Sequence, residues 1–203
     1  SVEKLPADPR IRLTVCKDGG IYEAMNQALP LVRGQYVCFL NCGDLFYDNR
    51  VLEATARAAE EEIGRGHEEI PRIFYGNQYN EKQGCLVYSA PVIDDFTCYR
   101  NVPCHQVCFY DRRLFADRGY DTLYRVRADY EHFLYCRYRR GARAVSTGVT
   151  VVKYEGGGFS ETRENRKRSK REHREIVTAY LGRKKVVLYR LCMLLSLAPL
   201  RTR

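Results

Sequence analysis

The chain has 203 residues, enough for one sizeable domain and marginal for two. With 45% hydrophobic and 29% charged residues it is excluded from the disordered classes, and no run reaches the roughly 18 apolar residues that a membrane-spanning helix needs. The formal charge of +9 suggests an anionic partner, although the excess is concentrated in Arg163 to Arg203 and the rest is nearly balanced.

In chain order, Arg10 to Cys16 alternates and predicts a strand. Lys17-Asp18-Gly19-Gly20 is a turn, with Asp18 placed to cap the next helix. That helix runs over Ile21 to Val32, with Ile21, Met25, Ala28 and Leu29 on one face, and Pro30 and Gly34 end it. Tyr36 to Leu40 is a continuous apolar run, as expected of a strand buried on both faces. Val51 to Ile63, rich in Ala and Glu, predicts a helix. Strands are expected over Arg72 to Tyr75, Lys82 to Ala90 and Cys104 to Tyr110, with a break from Pro91 to Pro103. Arg112 to Ala116 reads as a short helix. Arg127 to Tyr138 reads as a longer one, with Ala128, Phe133, Leu134 and Cys136 inward. Ala142 to Tyr154 is two short strands or one bent strand, and Gly156-Gly157-Gly158 is a tight loop. Strands alternating with helices predict an α/β fold.

The chain has nine cysteines, so at least one is unpaired within it. Cys38 and Cys42, like Cys104 and Cys108, are separated by three residues instead of the two of a zinc knuckle. Most of the nine lie in apolar or Tyr-rich runs. They are expected to be reduced, largely buried thiols of a cytoplasmic protein. Cys104-His105 with Cys108 is the best fragment for the alternative, a zinc-stabilised interaction module.

Three stretches carry oxygen chemistry. Asn41-Cys42-Gly43-Asp44 closes the apolar run at a strand's carboxyl end, where open α/β sheets bind ligands. A carboxylate there suits Mg²⁺ or Mn²⁺, which take oxygen ligands from one or two carboxylates plus substrate phosphates. Equally, Asp44 or Asp48 could start the helix at Val51. The turn before Ile21 offers backbone N–H groups to an anion. Asp129 and Glu131 lie at the start of a helix, where a carboxylate stays ionised and can serve as a general base or as a cap.

In order along the chain, Asp18 to Gln27, Gly34 to Asp44, Tyr75-Gly76, His105 to Phe115, Tyr124 to Leu134 and Gly157 to Ser160 resemble the family 2 glycosyltransferases of bacterial polysaccharide assembly. The resemblance covers about Leu13 to Ser160. It implies a GT-A fold, a Rossmann-like mixed sheet flanked by helices, over residues 1–160, with a basic, apolar helical tail over 161–203. It also implies an inverting transfer of a sugar from a nucleotide-diphosphate donor to a hydroxyl of a saccharide or lipid-linked saccharide in cell-surface polysaccharide synthesis. By motif, Asp44 would hold Mg²⁺ or Mn²⁺ and Asp129 would be the catalytic base. Asp18, Gly20, Asn26, Asn41, His105 and Gln106 would line the donor site. Two departures stand out. Asn41 and Gly43 leave Asp44 as the one acid of its motif. Ala128 replaces an acid that many relatives carry, which makes Glu131 the substitute carboxylate. The resemblance also places a strand, a helix and a second strand, with the nucleobase-binding acid, ahead of Ser1.

The tail has a charge run, Arg163 to Arg174, expected to be a solvated helix or a disordered arm. Arg183-Lys184-Lys185 then precede the apolar Val186 to Leu200, which suits an interfacial helix on the anionic inner face of the cell membrane, or docking on the core or on a second subunit. Basic residues up to Gly158 are scattered among acids and form no stripe, so no specific nucleic acid is expected and a basic nucleic-acid-binding module stays an alternative.

Overall fold

The computed structural model describes residues 8–66, 69–156 and 162–197. Six strands form one mixed sheet: β1 (Tyr36–Val37), β2 (Leu45–Phe46), β3 (Arg72–Asn80), β4 (Cys85–Val87), β5 (Cys108–Asp111) and β6 (Arg143–Tyr154). The order is β1-β5-β3-β6-β2, with β4 hairpinned onto β3. β3 runs parallel to β6 and antiparallel to β5. Helices α1 (Ile21–Ala28), α2 (Val51–Ile63), α3 (Asp95–Arg100), α4 (Ala128–Arg139) and α5 (Arg163–Leu197) flank it. The result is the α/β architecture expected from the alternation, with the Rossmann-like mixed sheet that the resemblance implies.

β3 is central because its first residues can be buried on both faces. Ile73, Phe74 and Tyr75 are at most 1% exposed. The strand bends just beyond them. At Gly76 an added Cβ would lie 2.2 Å from the Val149 carbonyl oxygen, so only glycine lets β3 and β6 approach there. The register with β6 shifts on either side of Asn77, and the Asn77 amide donates to the Gly148 carbonyl at 3.1 Å across the irregularity. Beyond the irregularity Gln78 pairs with Val152 of β6 and Val87 of β4, and Ala142 to Tyr154 forms one strand with a shifted register, not two.

Several expectations are corrected. Arg10 to Cys16 joins no ladder: Ile11, Leu13 and Val15 are 43, 54 and 84% exposed, since alternation sets an extended conformation but a strand needs a neighbour to bond. Tyr36 to Leu40 is not buried on both faces. Only Tyr36 and Val37 pair, with Asp111 and Tyr110, at the sheet's end. The helix at Ile21 stops at Ala28, and Pro30 tightens Leu29–Leu31 into a 3₁₀ turn. His105–Val107 is likewise a 3₁₀ turn before β5, because its side chains turn out of the sheet to bond elsewhere. The break from Pro91 to Pro103 holds α3, capped where the Asp94 carboxylate accepts from the Thr97 N–H at 2.7 Å. Four of the nine cysteines, Cys16, Cys42, Cys85 and Cys192, are exposed, so the thiols are less buried than expected, and all nine are free. Residues 157–161, with most of the glycine loop and the Gly157 to Ser160 block, and 198–203 lie outside the described residues.

The basic run after Thr162 is an ordered helix rather than an arm. α5 buries Ile176, Val177 and Leu181 in the main core and packs on α3 and α4. Its Glu172, 3% exposed, accepts from the N–H groups of Arg125, Val126 and Arg127 at 3.1, 3.0 and 2.9 Å. These are the residues that lead into α4. At Gly182 (φ 78°, ψ 153°) the helix breaks, separating a buried half from an exposed one.

Removing the Glu172 carboxylate leaves three backbone donors short of a charged acceptor. Glu172→Ala is expected to lower the unfolding free energy by about 2–3 kcal/mol, read as a fall in the urea midpoint at unchanged slope.

Candidate functional site

A cleft of about 580 Å³ opens at the ends of β3 and β6, and its walls include Asn41, Asp44, Gln78, His105, Gln106 and Asp129. Asp129 is the second residue of α4, at the positive end of that helix. Its side chain is 24% exposed. One carboxylate oxygen accepts from the Tyr22 hydroxyl at 2.9 Å and from the Tyr130 N–H at 2.8 Å. The other faces His105 Nδ1 at 3.0 Å. Burial pushes the Asp129 carboxyl up, but the hydrogen bond and charge of His105, then Tyr22 and Tyr130, outweigh it and hold it below the usual carboxylate range. Burial and the Asp129 charge drive the Tyr22 hydroxyl well above its ordinary value, so it remains a donor.

His105 bridges two walls. Its Nε2 lies 3.3 Å from Asn41 Oδ1. A neutral ring with its proton on Nδ1 has no donor for that oxygen. The contact is made by imidazolium, or by Asn41 with its amide turned to present NH₂. Next to it, Asp44 does not cap α2, which starts from Arg50 without a side-chain cap. Asp44 is buried: Gln106 Nε2 donates to one oxygen at 3.0 Å and the Glu155 N–H to the other at 3.3 Å. The Glu155 carboxylate covers Gly43, whose φ is +96° and whose added Cβ would sit 2.1 Å from Glu155 Oε2. Glycine at 43 thus brings a second carboxylate over the tetrapeptide.

Among the described residues no group of three His, Cys, Asp or Glu could hold a metal ion by itself. The donor set of Asp44, Glu155 and the Asn41 amide is all oxygen, so it fits a hard cation whose other ligands are phosphates or water, and not a soft one. Cys104 does not supply a thiolate. Its Sγ lies 2.9 Å from Gln78 Oε1, and burial pushes the thiol up to about 12.

The structure gathers Asn41, Asp44, His105, Gln106 and Asp129 around one cleft. Gly20 lines a smaller neighbouring cavity with Tyr22 and Arg125, and Asp18 accepts from the Gly20 N–H at 3.1 Å. Asn26 lies apart: its amide donates to the Tyr120 carbonyl at 2.8 Å and accepts from the Tyr120 N–H at 2.7 Å, tying α1 to the Gly119-Tyr120 turn. Glu131, two residues beyond Asp129, takes the other side of α4, where it accepts from Arg118 at 2.7 Å and from the Tyr180 hydroxyl. Tyr22, Gln78 and Glu155 were not singled out by sequence. Tyr22 and Glu155 both fall within or beside the quoted motifs. The glycine at 43, with no side chain of its own to offer, was the signal for a neighbour's approach.

No protein-family model matches the chain. Over 147 residues it is 31% identical to a protein of Mycobacterium bovis named PGL/p-HBAD biosynthesis glycosyltransferase, and equally to one of that name in Mycobacterium tuberculosis. The match takes in 71% of this chain and 55% of theirs, so the chain spans about half the length of the curated relatives it matches. By sequence, the chain is thus a relative of glycosyltransferases.

Proposed function

We propose that this chain carries the reaction cleft of an inverting, metal-dependent family 2 glycosyltransferase of GT-A type, which moves a sugar from a nucleotide-diphosphate donor to a hydroxyl of a saccharide or lipid-linked saccharide. The reading rests on one observation above all: an ionised, partly exposed carboxylate, Asp129, shares a cleft with the oxygen-lined Asp44 wall. The acceptor hydroxyl hydrogen-bonds Asp129 and gives up its proton to it as the oxygen attacks the anomeric carbon. The bond from that carbon to the diphosphate breaks on the opposite face, and its electron pair leaves with the nucleoside diphosphate. A single displacement of this kind inverts the anomeric centre. Tyr22 and His105 orient Asp129. Asp44, Glu155 and Asn41 would hold Mg²⁺ or Mn²⁺, which when bound offsets the negative charge of the departing diphosphate.

The distal half of α5 supports a membrane-facing role. No helix among the described residues is long and apolar enough to cross a bilayer. Val187, Leu191, Leu194 and Leu195, at i, i+4, i+7 and i+8, nevertheless form an exposed stripe between 53 and 72% accessible. Arg183, Lys184 and Arg190 accompany it, and residues 183–197 contain no acid. A stripe of this kind lies flat on an anionic surface. A lipid-linked acceptor would be met there, on the inner face of the cell membrane.

In the complete polypeptide, Asp129→Asn is expected to abolish sugar transfer while retaining Mn²⁺-dependent binding of nucleoside diphosphate, and Asp44→Ala to weaken that binding; turnover near the original level in the Asn variant removes Asp129 as the base. His105→Gln takes away the main influence that lowers the Asp129 pKa. The acid limb of kcat/KM should then move to higher pH, and an unmoved limb shows that His105 does not tune the base. For the α5 stripe, Leu191→Lys with Leu195→Lys should cut co-sedimentation with phosphatidylglycerol-containing vesicles by about tenfold or more, whereas unchanged binding takes the membrane role away.

A further inference from the structure

A second chamber, about 590 Å³, adjoins the reaction cleft, and the two share Gln78 and Cys104 as a common wall. Those two side chains touch, with Cys104 Sγ 2.9 Å from Gln78 Oε1. Cys104 directly precedes His105, which contacts Asp129, so the partition stands one residue from the base's own partner. The chamber's floor is apolar, with Val87, Ala90, Ile93, Val102 and Val107, and the burial of Cys104 keeps its thiol uncharged. Tyr88, 73% exposed, stands at the mouth. One wall is α3, whose Thr97 and Arg100 line the chamber. The Phe96 and Tyr99 rings of that helix lie 5.4 and 5.6 Å from the ring of Tyr189 on the distal half of α5. Lys185 also bonds Asp95 at 2.5 Å. The apolar chamber and the exposed leucine stripe are therefore carried by the same packed pair of helices.

We infer that this chamber is the acceptor side of the site and takes the apolar aglycone of a glycoside, placing the sugar's free hydroxyl beyond Gln78 and Cys104 at Asp129. The inference rests on the sugar-transfer reading above. It narrows the acceptor class to glycosides with a hydrocarbon-bearing aglycone. A free polar saccharide would leave the exposed Val87 and Tyr88 and the half-buried Val102 facing water, whereas an apolar aglycone covers them at about 25 cal/mol per Å² buried.

Binding of n-octyl and methyl β-D-glucopyranoside to the full chain, below the octyl compound's micelle concentration, tests this without turnover, since the shared sugar cancels in the ratio. The octyl glycoside should bind about tenfold or more tightly, with amide-exchange protection over Tyr88 to Ile93 and Val102 to Val107. Val87→Asp, on the exposed edge strand, and Tyr88→Ala should each erase that preference while leaving Mn²⁺-dependent UDP binding unchanged. Equal affinities overturn the assignment. So does a preference lost on Leu191→Lys with Leu195→Lys, which would place the chain on α5, or protection of the chamber by UDP with Mn²⁺, which would give it to the donor. Failure of the base assignment is separate: an active Asp129→Asn protein with the octyl preference intact keeps the chamber and loses the base.

Discussion

A carboxylate kept charged while mostly withdrawn from water is the constraint around which this molecule is arranged. Burial alone would neutralise Asp129, so the fold must surround it with donors. They come from three places far apart in sequence. α1 sends the Tyr22 hydroxyl, the 3₁₀ turn before β5 sends His105, and α4 contributes its own Tyr130 N–H. None of these works unless the backbone entering α4 is fixed, and that is the task of Glu172 on α5. A helix read as a tail thus positions the centre of the site.

The other wall obeys a different rule. Asp44 is buried among an amide and a backbone N–H, both neutral donors, with a second carboxylate folded over Gly43. Two acids facing one opening repel each other unless a cation or further donors stand between them. One cleft therefore presents an acid satisfied by protein donors on one side and acids with coordination to spare on the other. This asymmetry suits a reaction in which one group takes up a proton while a phosphate charge grows across the site.

Much of this was legible in the residues, because certain signals are local. The Ala and Glu of Val51 to Ile63 and the apolar block at Ile73 to Tyr75 depend on near neighbours alone: the helix formed where expected, and the strand began where expected but runs on to Asn80. Signals that need a partner misled. Ile11, Leu13 and Val15 alternate as a strand should, yet no neighbouring strand among the described residues pairs with them. The short α3 was hidden between prolines, although Asp94 and Thr97 carried its cap. For the site, Asn41, Asp44, His105, Gln106 and Asp129 converge, while Asn26 and Glu131 serve packing. An amide that ties a helix to a turn and an acid that meets an arginine look the same in sequence as ligands do, since only the direction of the side chain separates them.

Gly182 has open space around it, so sterics with neighbours do not demand glycine there; its backbone angles do. Any L-residue with a Cβ would draw position 182 back toward right-handed angles. The 35 residues of α5 would then tend to straighten into a single rod of about 50 Å, at a rise near 1.5 Å per residue. The leucine stripe would swing off its present bearing, and the Tyr189 ring would leave its seat on α3. The aim of an entire face of this protein hangs on a single missing methyl group.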